Sequence, residues 1–413
     1  MIVVHVGPPT GRLGGPPGYL HQLKTAASTD PHPRHDVRFP ATSSGPRPSL
    51  TPSPTISTFT RIQRKLFGPK FYRPSPSEMS RARGVVDRML REMAVDLRAD
   101  VEPSLMHALA EADVIFTHDT FSAEDALAQR RRGQHVWMMC HGVTPIALYA
   151  AWSWALPEAD WRALMDLADV QSWTAWELDV WRRVDRFILP CAEAADSFLS
   201  IDARLTAAFD RAEYILSGAS TPPAQSADAF SGDDLGVQDG HTRVGLYLGS
   251  PEPYRGFDAL MAGVNRLSGD ANVLVAVAGP APDKVPAHPK VRALGRVDDV
   301  APLLDAVDFL INVNRFSLFD LSTIEATQAG KPLLLHAVGG NRAFQRLGAG
   351  CVMLDDLEPD TIANRLSSMA ALDDASLVAL GRRSRACWET LLTPRHMWER
   401  HLAFYDTISG VEA

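Results

Sequence analysis

The chain has 413 residues, 46% of them hydrophobic and 22% charged, with a formal net charge of −8. Such a length exceeds what one core organises and predicts two domains of roughly 150–200 residues, while the acidic balance argues against nucleic acid as a partner. Its four cysteines, Cys140, Cys191, Cys351 and Cys387, form no CxxC pair, which argues against a disulfide framework or a zinc site and suits reduced thiols in the cytosol.

The first element is the apolar run "IVVHVG" (2–7). It is preceded by no basic n-region and is too short for an export h-region, so it reads as a buried strand. Residues 40–78 are proline-rich and carry "FTRIQRKLFGPKFYRPSP". Two readings stay open there: a solvated insertion loop, or an amphipathic membrane-surface helix over about 58–75 that touches a bilayer peripherally. No apolar run reaches the roughly 18 residues needed to cross a bilayer. The expectation is a cytoplasmic protein, with the inner face of the membrane as a further location.

Further short apolar runs follow: "DVIFTH" (113–118), "HVWMMCHG" (135–142) and "RFILPC" (186–191). A helical pattern, "DSFLSIDARLTAAF" (196–209), comes next. Residues 217–242, rich in Gly, Ser, Pro and Asp, read as a linker. A second set then begins, with "RVGLYLGS" (243–250), "ANVLVAVAG" (271–279), "VDFLINVN" (307–314) and "KPLLLHA" (331–337). Runs of four to eight Val, Ile and Leu residues alternating with helical patterns predict parallel strands covered on both faces. Two such sets predict an α/β chain of two doubly wound, Rossmann-like domains, with ligands in the cleft between the carboxyl ends of their strands. The boundaries read are 1–215 for the first domain, 216–242 for the linker and 243–394 for the second. A last helix, within 395–413, packs back on the first domain.

The segment "NRFSLFDLSTIEATQAGKPLLLHAVGGN" (314–341) carries the most chemistry. A strand at 307–314 followed by a helix from about Ser322 puts "RFSLFDL" at a strand's carboxyl end. A helix start there offers unpaired N–H groups and a positive dipole end to a phosphate. Glu325 is read in the first turn, able to help the dipole or to reach a ligand hydroxyl. Gly330 is the expected left-handed cap, with Pro332 blocking continuation. The glycine pair of "VGGN" offers backbone for close approach to a ligand.

This stretch resembles the carboxy-terminal signature of retaining glycosyltransferases of family 4, which have the GT-B architecture. Phe319, Leu321, Glu325, Ala326, Gly330 and Pro332 match in register. The resemblance extends through "GRLGGPPGYLHQLKTAA" (11–27), 113–145 ending in His-Gly, 176–199, and "VRALGRVDDVAPLLDAVDFLINV" (291–313). It implies a GT-B fold and the binding of a nucleotide-diphosphate sugar without a metal ion or other cofactor.

By this resemblance Glu325 binds the ribose hydroxyls, with a helix-start glutamate as the other reading. The backbone at Leu321 and Ser322 cradles the diphosphate; Ser322 also reads as a plain N-cap. Gly249 ends the strand before the loop in which the family carries two cations. Arg255 fills one place, or is a surface charge, and Ser250 stands where an arginine is expected. Gly14 and Gly15 approach the donor and the acceptor, or make a tight turn. His141 lies near the transferred sugar, or is a core histidine, and His118 and Asp119 lie nearby. Arg296 and Val297 fall in the segment that meets the base. Ser317 occupies the place of the first acidic residue of the pattern, and Asp320 replaces a glycine beside the diphosphate, which it should repel. Asn314 or Arg315 then holds the sugar instead. Asp298–Asp299 reads as a helix cap rather than a metal pair.

The function implied is transfer of a hexose-type sugar, with retention, to a hydroxyl of a glycan, a lipid-linked molecule or a small molecule, as in polysaccharide biosynthesis. The substitutions at 250, 317 and 320 motivate an alternative, a non-catalytic GT-B protein binding a sugar or a partner. A sugar-nucleotide epimerase would need an acid/base cluster that the sequence does not display.

Overall fold

The computed structural model describes residues 1–7, 15–40, several positions between 77 and 90, 103–157, 159–221, several between 230 and 237, and 241–409. Gly14, the segment 41–76 with its membrane-contact reading, and most of the central part of the linker lie outside the described residues.

Among the described residues twelve strands form two sheets. The first has the order β2-β1-β3-β4-β5-β6, built from β1 (Ile2–Val6), β2 (Asp36–Arg38), β3 (Val114–Thr117), β4 (His135–Met139), β5 (Arg186–Leu189) and β6 (Glu213–Tyr214). The second has the order β12-β11-β10-β7-β8-β9, built from β7 (Arg243–Leu248), β8 (Val273–Ala278), β9 (Val291–Gly295), β10 (Phe309–Asn312), β11 (Leu333–His336) and β12 (Cys351–Leu354). Every pairing is parallel. All six residues of β8 are buried, as a strand with helices on both faces requires. This is the GT-B arrangement of two Rossmann-like domains.

The helices used below are α1 (Gly15–Thr29), α2 (Thr120–Gln129), α3 (Ile146–Ala150), α4 (Ala168–Arg183), α5 (Phe257–Val264), α6 (Leu321–Gln328), α7 (Gly340–Arg346) and α8 (Pro394–Ser409). The predicted single helix over 196–209 is instead four short turns, Ala192–Ala194, Ala195–Leu199, Ala203–Leu205 and Thr206–Phe209. Asp202 divides them, its carboxylate accepting from the backbone N–H of Arg204 at 2.9 Å, a local bond that competes with helix continuation. Asp299 caps Val300–Ala306 through the N–H of Ala301 at 3.3 Å, and Gly330 has φ +67°, so both terminators read from sequence are in place.

α8 returns to the first sheet. Met397, Trp398 and Tyr405 are buried with Val3, Phe116 and Trp137. The stretch 216–221, read as linker, is packed: Trp388 Nε1 donates to Ala219 O at 2.7 Å, and a Cβ on Gly218 would lie 2.3 Å from Thr393 O. Glu177 on α4 accepts from Thr120 Oγ1 at 3.1 Å and from Ile146 N at 2.8 Å, tying α2 to α3. Burial pushes this carboxyl up to about 7.

The two domains meet through particular side chains. Phe316 of the second inserts between Trp152 and Trp161 of the first, with ring centroids 6.0 and 5.5 Å away. Ser197 Oγ donates to Ser317 O at 2.8 Å and accepts from Ser317 N at 3.0 Å. Ser197→Ala leaves the buried N–H of Ser317 without a partner, while its carbonyl keeps the hydrogen bond from Gly340 N at 2.9 Å. It is expected to cost about 1–3 kcal/mol for the group left without a partner, read as a lowered midpoint in urea unfolding; an unchanged midpoint would remove this contact from the account.

Candidate active site

In each sheet the strand order reverses direction next to the first strand of its domain: between β1 and β3, and between β7 and β10. Ligands in doubly wound sheets bind at these switch points, outside the carboxyl ends of the strands. The loops after β7 and β10 converge at the second one. Tyr247, Leu248, Arg255, Leu310, Ile311, Asn312, Asn314 and Ser322 line a cleft there of about 230 Å³. All eight belong to the second domain.

α6 begins at this cleft. Its N-cap is Asp320, whose side chain makes no capping bond. The first turn is satisfied only in part: Thr323 and Ile324 donate to Asp320 O, while the N–H groups of Leu321 and Ser322 have no partner among the described residues. Glu325 is the fifth residue of α6, so it stands in the second turn and not in the first, as expected from sequence. Burial alone pushes its carboxyl up to about 7, because no cation and no hydrogen-bond donor among the described residues offsets the desolvation. Ser322 is the second helical residue, so it is not the N-cap.

Asp320 does not face the helix end as a bare repelling charge. Its Oδ2 accepts from Asn312 Nδ2 at 3.1 Å, Asn314 Nδ2 at 2.9 Å and Ser317 Oγ at 2.7 Å. Its Oδ1 lies 3.9 Å from Arg255 Nη1. At that separation the attraction is about 4 kcal/mol for an effective dielectric near 20, before desolvation. Asp320 therefore holds Arg255 in the cleft. Arg255 Nε is 3.8 Å from Glu252 Oε2, beyond hydrogen-bond reach, and is buried without a partner. The guanidinium is thus steered by two carboxylates yet keeps donors to offer. Gly249 makes room for it: a Cβ there would stand 3.2 Å from Arg255 Cδ. Ser250 donates its hydroxyl to Glu252, which also accepts from Tyr149 of the first domain at 3.0 Å.

Several expected ligand residues are engaged within the protein. Ser317 is fully buried and Phe319 nearly so; the Phe319 ring stacks on Phe344 at 4.1 Å. Only the backbone of this loop is left to meet a ligand. Asn314 spends its amide on Asp320. Arg315 is taken by a forked ion pair with Asp258, at 2.7 and 2.8 Å, and by Pro253 O, so it does not replace the missing sugar-binding carboxylate. The glycine pair of "VGGN" meets protein backbone rather than ligand. A Cβ on Gly339 would lie 2.1 Å from Ser317 O, and one on Gly340 only 1.6 Å from Leu318 O. Arg296 is exposed and pairs with Asp298 at 2.9 Å, and Val297 packs at the edge of the core.

In the first domain Gly15 opens α1 with φ +61°, a conformation that favours glycine. His141 follows β4. Its Nε2 is 2.9 Å from His118 Nδ1, and burial drives its pKa down to about 3. His118 is fully enclosed. Asp119 caps α2, accepting from Ser122 N at 2.8 Å. The residues missed from sequence are His5, His401, Tyr19 and Tyr405, which join this histidine pair. The one available signal was a polar His5 in the middle of an otherwise apolar strand.

Residues 242–371 match the family described as glycosyl transferases group 1. The second domain is a glycosyltransferase domain. The whole chain superposes on solved structures of the same fold. Sucrose-phosphate synthase from Thermosynechococcus elongatus matches with a TM-score of 0.64 and 16% identity, over 100% of this chain and 99% of that one. HepE from Anabaena in complex with UDP-glucose matches with a TM-score of 0.59 and 14% identity, over 100% of both chains. WaaG, a glycosyltransferase involved in lipopolysaccharide biosynthesis, matches with a TM-score of 0.57 and 14% identity, again over 100% of both. No curated protein matches the chain in sequence. Among the described residues no helix is long and apolar enough to cross a membrane, and no three His, Cys, Asp or Glu side chains are grouped to hold a metal ion.

Proposed function

We propose that the glycosyltransferase uses a nucleotide-diphosphate sugar and moves its hexose-type sugar, with retention, to a hydroxyl of a glycan, lipid-linked or small-molecule acceptor. One observation carries the donor: Arg255, which keeps unspent donors, and Ser322, whose unspent N–H lies beside that of Leu321 at the start of α6, line the same cleft at the switch point of the second sheet. Backbone donors at a helix start and a guanidinium together suit a pyrophosphate. Glu325, a partly buried carboxylate without a partner among the described residues, suits the vicinal hydroxyls of a ribose. The UDP-glucose bound by HepE supports the same class of donor. Retention rests on the resemblance of the 314–341 signature.

In this reading the acceptor enters from the first domain, on the side of His141 and Gly15. Its hydroxyl attacks the face that the diphosphate leaves, and the departing phosphate oxygen takes the hydroxyl proton. The chain's own groups position the reactants, exclude water and stabilise the leaving group, with no metal ion required. Domain closure over the bound donor is expected.

Calorimetric titration with UDP and with GDP tests the site. Hydroxyls donating to Glu325 favour its ionised form, so nucleotide binding is expected to tighten as pH rises through about 7, by up to about tenfold per unit on the acid side. Glu325→Gln is expected to flatten that dependence and to weaken binding. Equal slopes in both proteins would take the ribose away from Glu325. Ser250, in place of a cation, and the buried Ser317 favour a second reading, a non-catalytic sugar- or partner-binding protein; nucleotide binding without release from any of a panel of sugar nucleotides would establish it.

A further inference from the structure

His141 and five side chains behind it, from five separate elements of the fold, form one hydrogen-bonded chain. His141 Nε2 meets His118 Nδ1 at 2.9 Å, and His118 Nε2 meets His5 Nδ1 at 2.9 Å. His5 Nε2 meets the Tyr405 hydroxyl at 2.8 Å, which meets His401 Nδ1 at 3.0 Å; His401 Nε2 meets the Tyr19 hydroxyl at 2.6 Å. His5, His118, His401, Tyr19 and Tyr405 are all buried. Aromatic faces hold the rings: His5 stacks on Phe39 and Phe116, each at 4.8 Å, and Tyr19 lies 4.7 Å from His141.

The proton positions follow from counting. Burial drives all four histidines below their ordinary pKa, so each is neutral, with one N–H and one lone pair. A neutral histidine bonded at both nitrogens passes the direction of donation along unchanged. Tyr405 has one proton and cannot donate to both neighbours. If both neighbours donate to it, its own buried proton has no acceptor. If the whole chain points from His141 towards Tyr19, the Tyr19 proton has no acceptor among the described residues. Each order leaves one proton without an acceptor in the chain, and only the order Tyr19 to His401, to Tyr405, to His5, to His118, to His141 leaves it on Nδ1 of His141, the one member that is not buried, where water or a ligand oxygen can take it. In that order all four histidines carry their proton on Nδ1, the minority form of a free histidine side chain.

We propose that this chain locks His141 as a hydrogen-bond donor, its Nδ1–H held for an acceptor oxygen of the sugar substrate, and that Tyr19 and Tyr405 are its positioning residues. His141 is only partly covered, and its Nδ1 has no partner among the described residues. A group fixed in this form cannot accept the acceptor's proton through Nδ1, so His141 orients the sugar and is not a general base. The oxygen it meets belongs to the donor proposed above and rests on that reading; the direction of the chain does not.

The test needs no ligand. Long-range 1H–15N spectra of the 15N-labelled full chain at pH 7.5 distinguish the protonated from the unprotonated nitrogen of each imidazole, with His141 assigned through His141→Gln. Four neutral Nδ1–H histidines are expected. Tyr19→Phe removes the group that sets the direction, and Tyr405→Phe cuts the chain. Either is expected to move His141 to the Nε2–H form or to a mixture. A His141 with its proton on Nε2 in the unsubstituted protein overturns the proposal, as does an Nδ1–H form that survives both substitutions in folded variants. Nucleotide binding, measured separately by calorimetry, reports on the donor site alone.

Discussion

Arg255→Ala is expected to lower sugar transfer by about 10²- to 10³-fold, the range found when one fixed donor to a developing negative charge is removed. The reasoning begins with what surrounds it. Ser250 stands where a second cation would share the load, and its hydroxyl is spent on Glu252. Arg315 is spent on Asp258. Arg255 is therefore the guanidinium left facing the start of α6, and charge building on the leaving phosphate has that group and two backbone N–H groups to meet it. The low exposure of the guanidinium strengthens the interaction, because little water screens it. Arg255→Lys keeps the charge but loses the fork, and is expected to lie between the parent and Arg255→Ala. Removing the cation also leaves Asp320 and Glu252 without it, so thermal unfolding must accompany the assay. Release of nucleotide from the productive sugar nucleotide is the measurement. Parental turnover in a folded Arg255→Ala protein would show that leaving-group stabilisation lies elsewhere.

The second large effect is on stability in acid. His5 and His118 are held well below their ordinary pKa by burial and, secondarily, by neighbouring histidines, and His141 and His401 fall to about 3. In the unfolded chain each titrates near 6.5. Below that pH the unfolded state binds protons that the folded state refuses, so stability falls as pH falls, by roughly 1.4 kcal/mol per unit for each proton. Glu177 and Glu325 act in the opposite sense. Both are raised to about 7, so the folded state holds their protons while the unfolded chain has lost them above about 4.5; their contribution grows as pH falls from 7 to about 4.5 and then stops. Between pH 6.5 and 4.5 the four histidines outweigh the two carboxyls by about two protons, or roughly 3 kcal/mol per unit. Below 4.5 the offset no longer grows, and the slope steepens towards about 5 kcal/mol per unit. Against a total stability of roughly 5–15 kcal/mol, unfolding is expected near pH 4–5. Urea titrations at pH 7, 6 and 5 measure the slope, and His5→Gln is expected to reduce it by about one proton's worth. A stability that is flat or rising between pH 6 and 5 would contradict the buried, neutral state of these rings.

Both effects depend on residues that differ in how they could be read from sequence. The eight long apolar runs are strands in the structure, because four to eight consecutive Val, Ile and Leu residues have few other places to go than a sheet covered on both faces. The remaining strands were not legible that way. β2 is the three residues Asp-Val-Arg and β6 the two residues Glu-Tyr, edge strands whose polar side chains carry no period-two signal. β9, "VRALG", was read only as part of a base-binding segment. The helix over 196–209 failed for the opposite reason: its periodicity was sound, but Asp202 supplied a local hydrogen bond that ended it.

At the cleft, the position of the helix start and the left-handed cap at Gly330 came from local spacing, which short-range geometry obeys, while Arg255 was singled out by the family resemblance. Asp320 was legible as a residue but not as a role. From sequence it is a charge beside a phosphate site, whereas three hydrogen bonds from Asn312, Asn314 and Ser317 turn it into the support of Arg255. The same holds for Gly339 and Gly340, whose missing side chains make room for the backbone at Ser317 and Leu318, residues more than 20 positions away.

The sequence by itself determined two doubly wound domains and the strand ends where a ligand can sit, because these follow from periodicity and from turns a few residues long; the sugar nucleotide came from the resemblance of the 314–341 segment. Only the tertiary structure decided which side chains are spent and which are free. His5 and Tyr405 are 400 residues apart and share one proton. A partner at that distance leaves no period and no spacing in the chain, yet it sets which nitrogen carries the proton in the rings it joins.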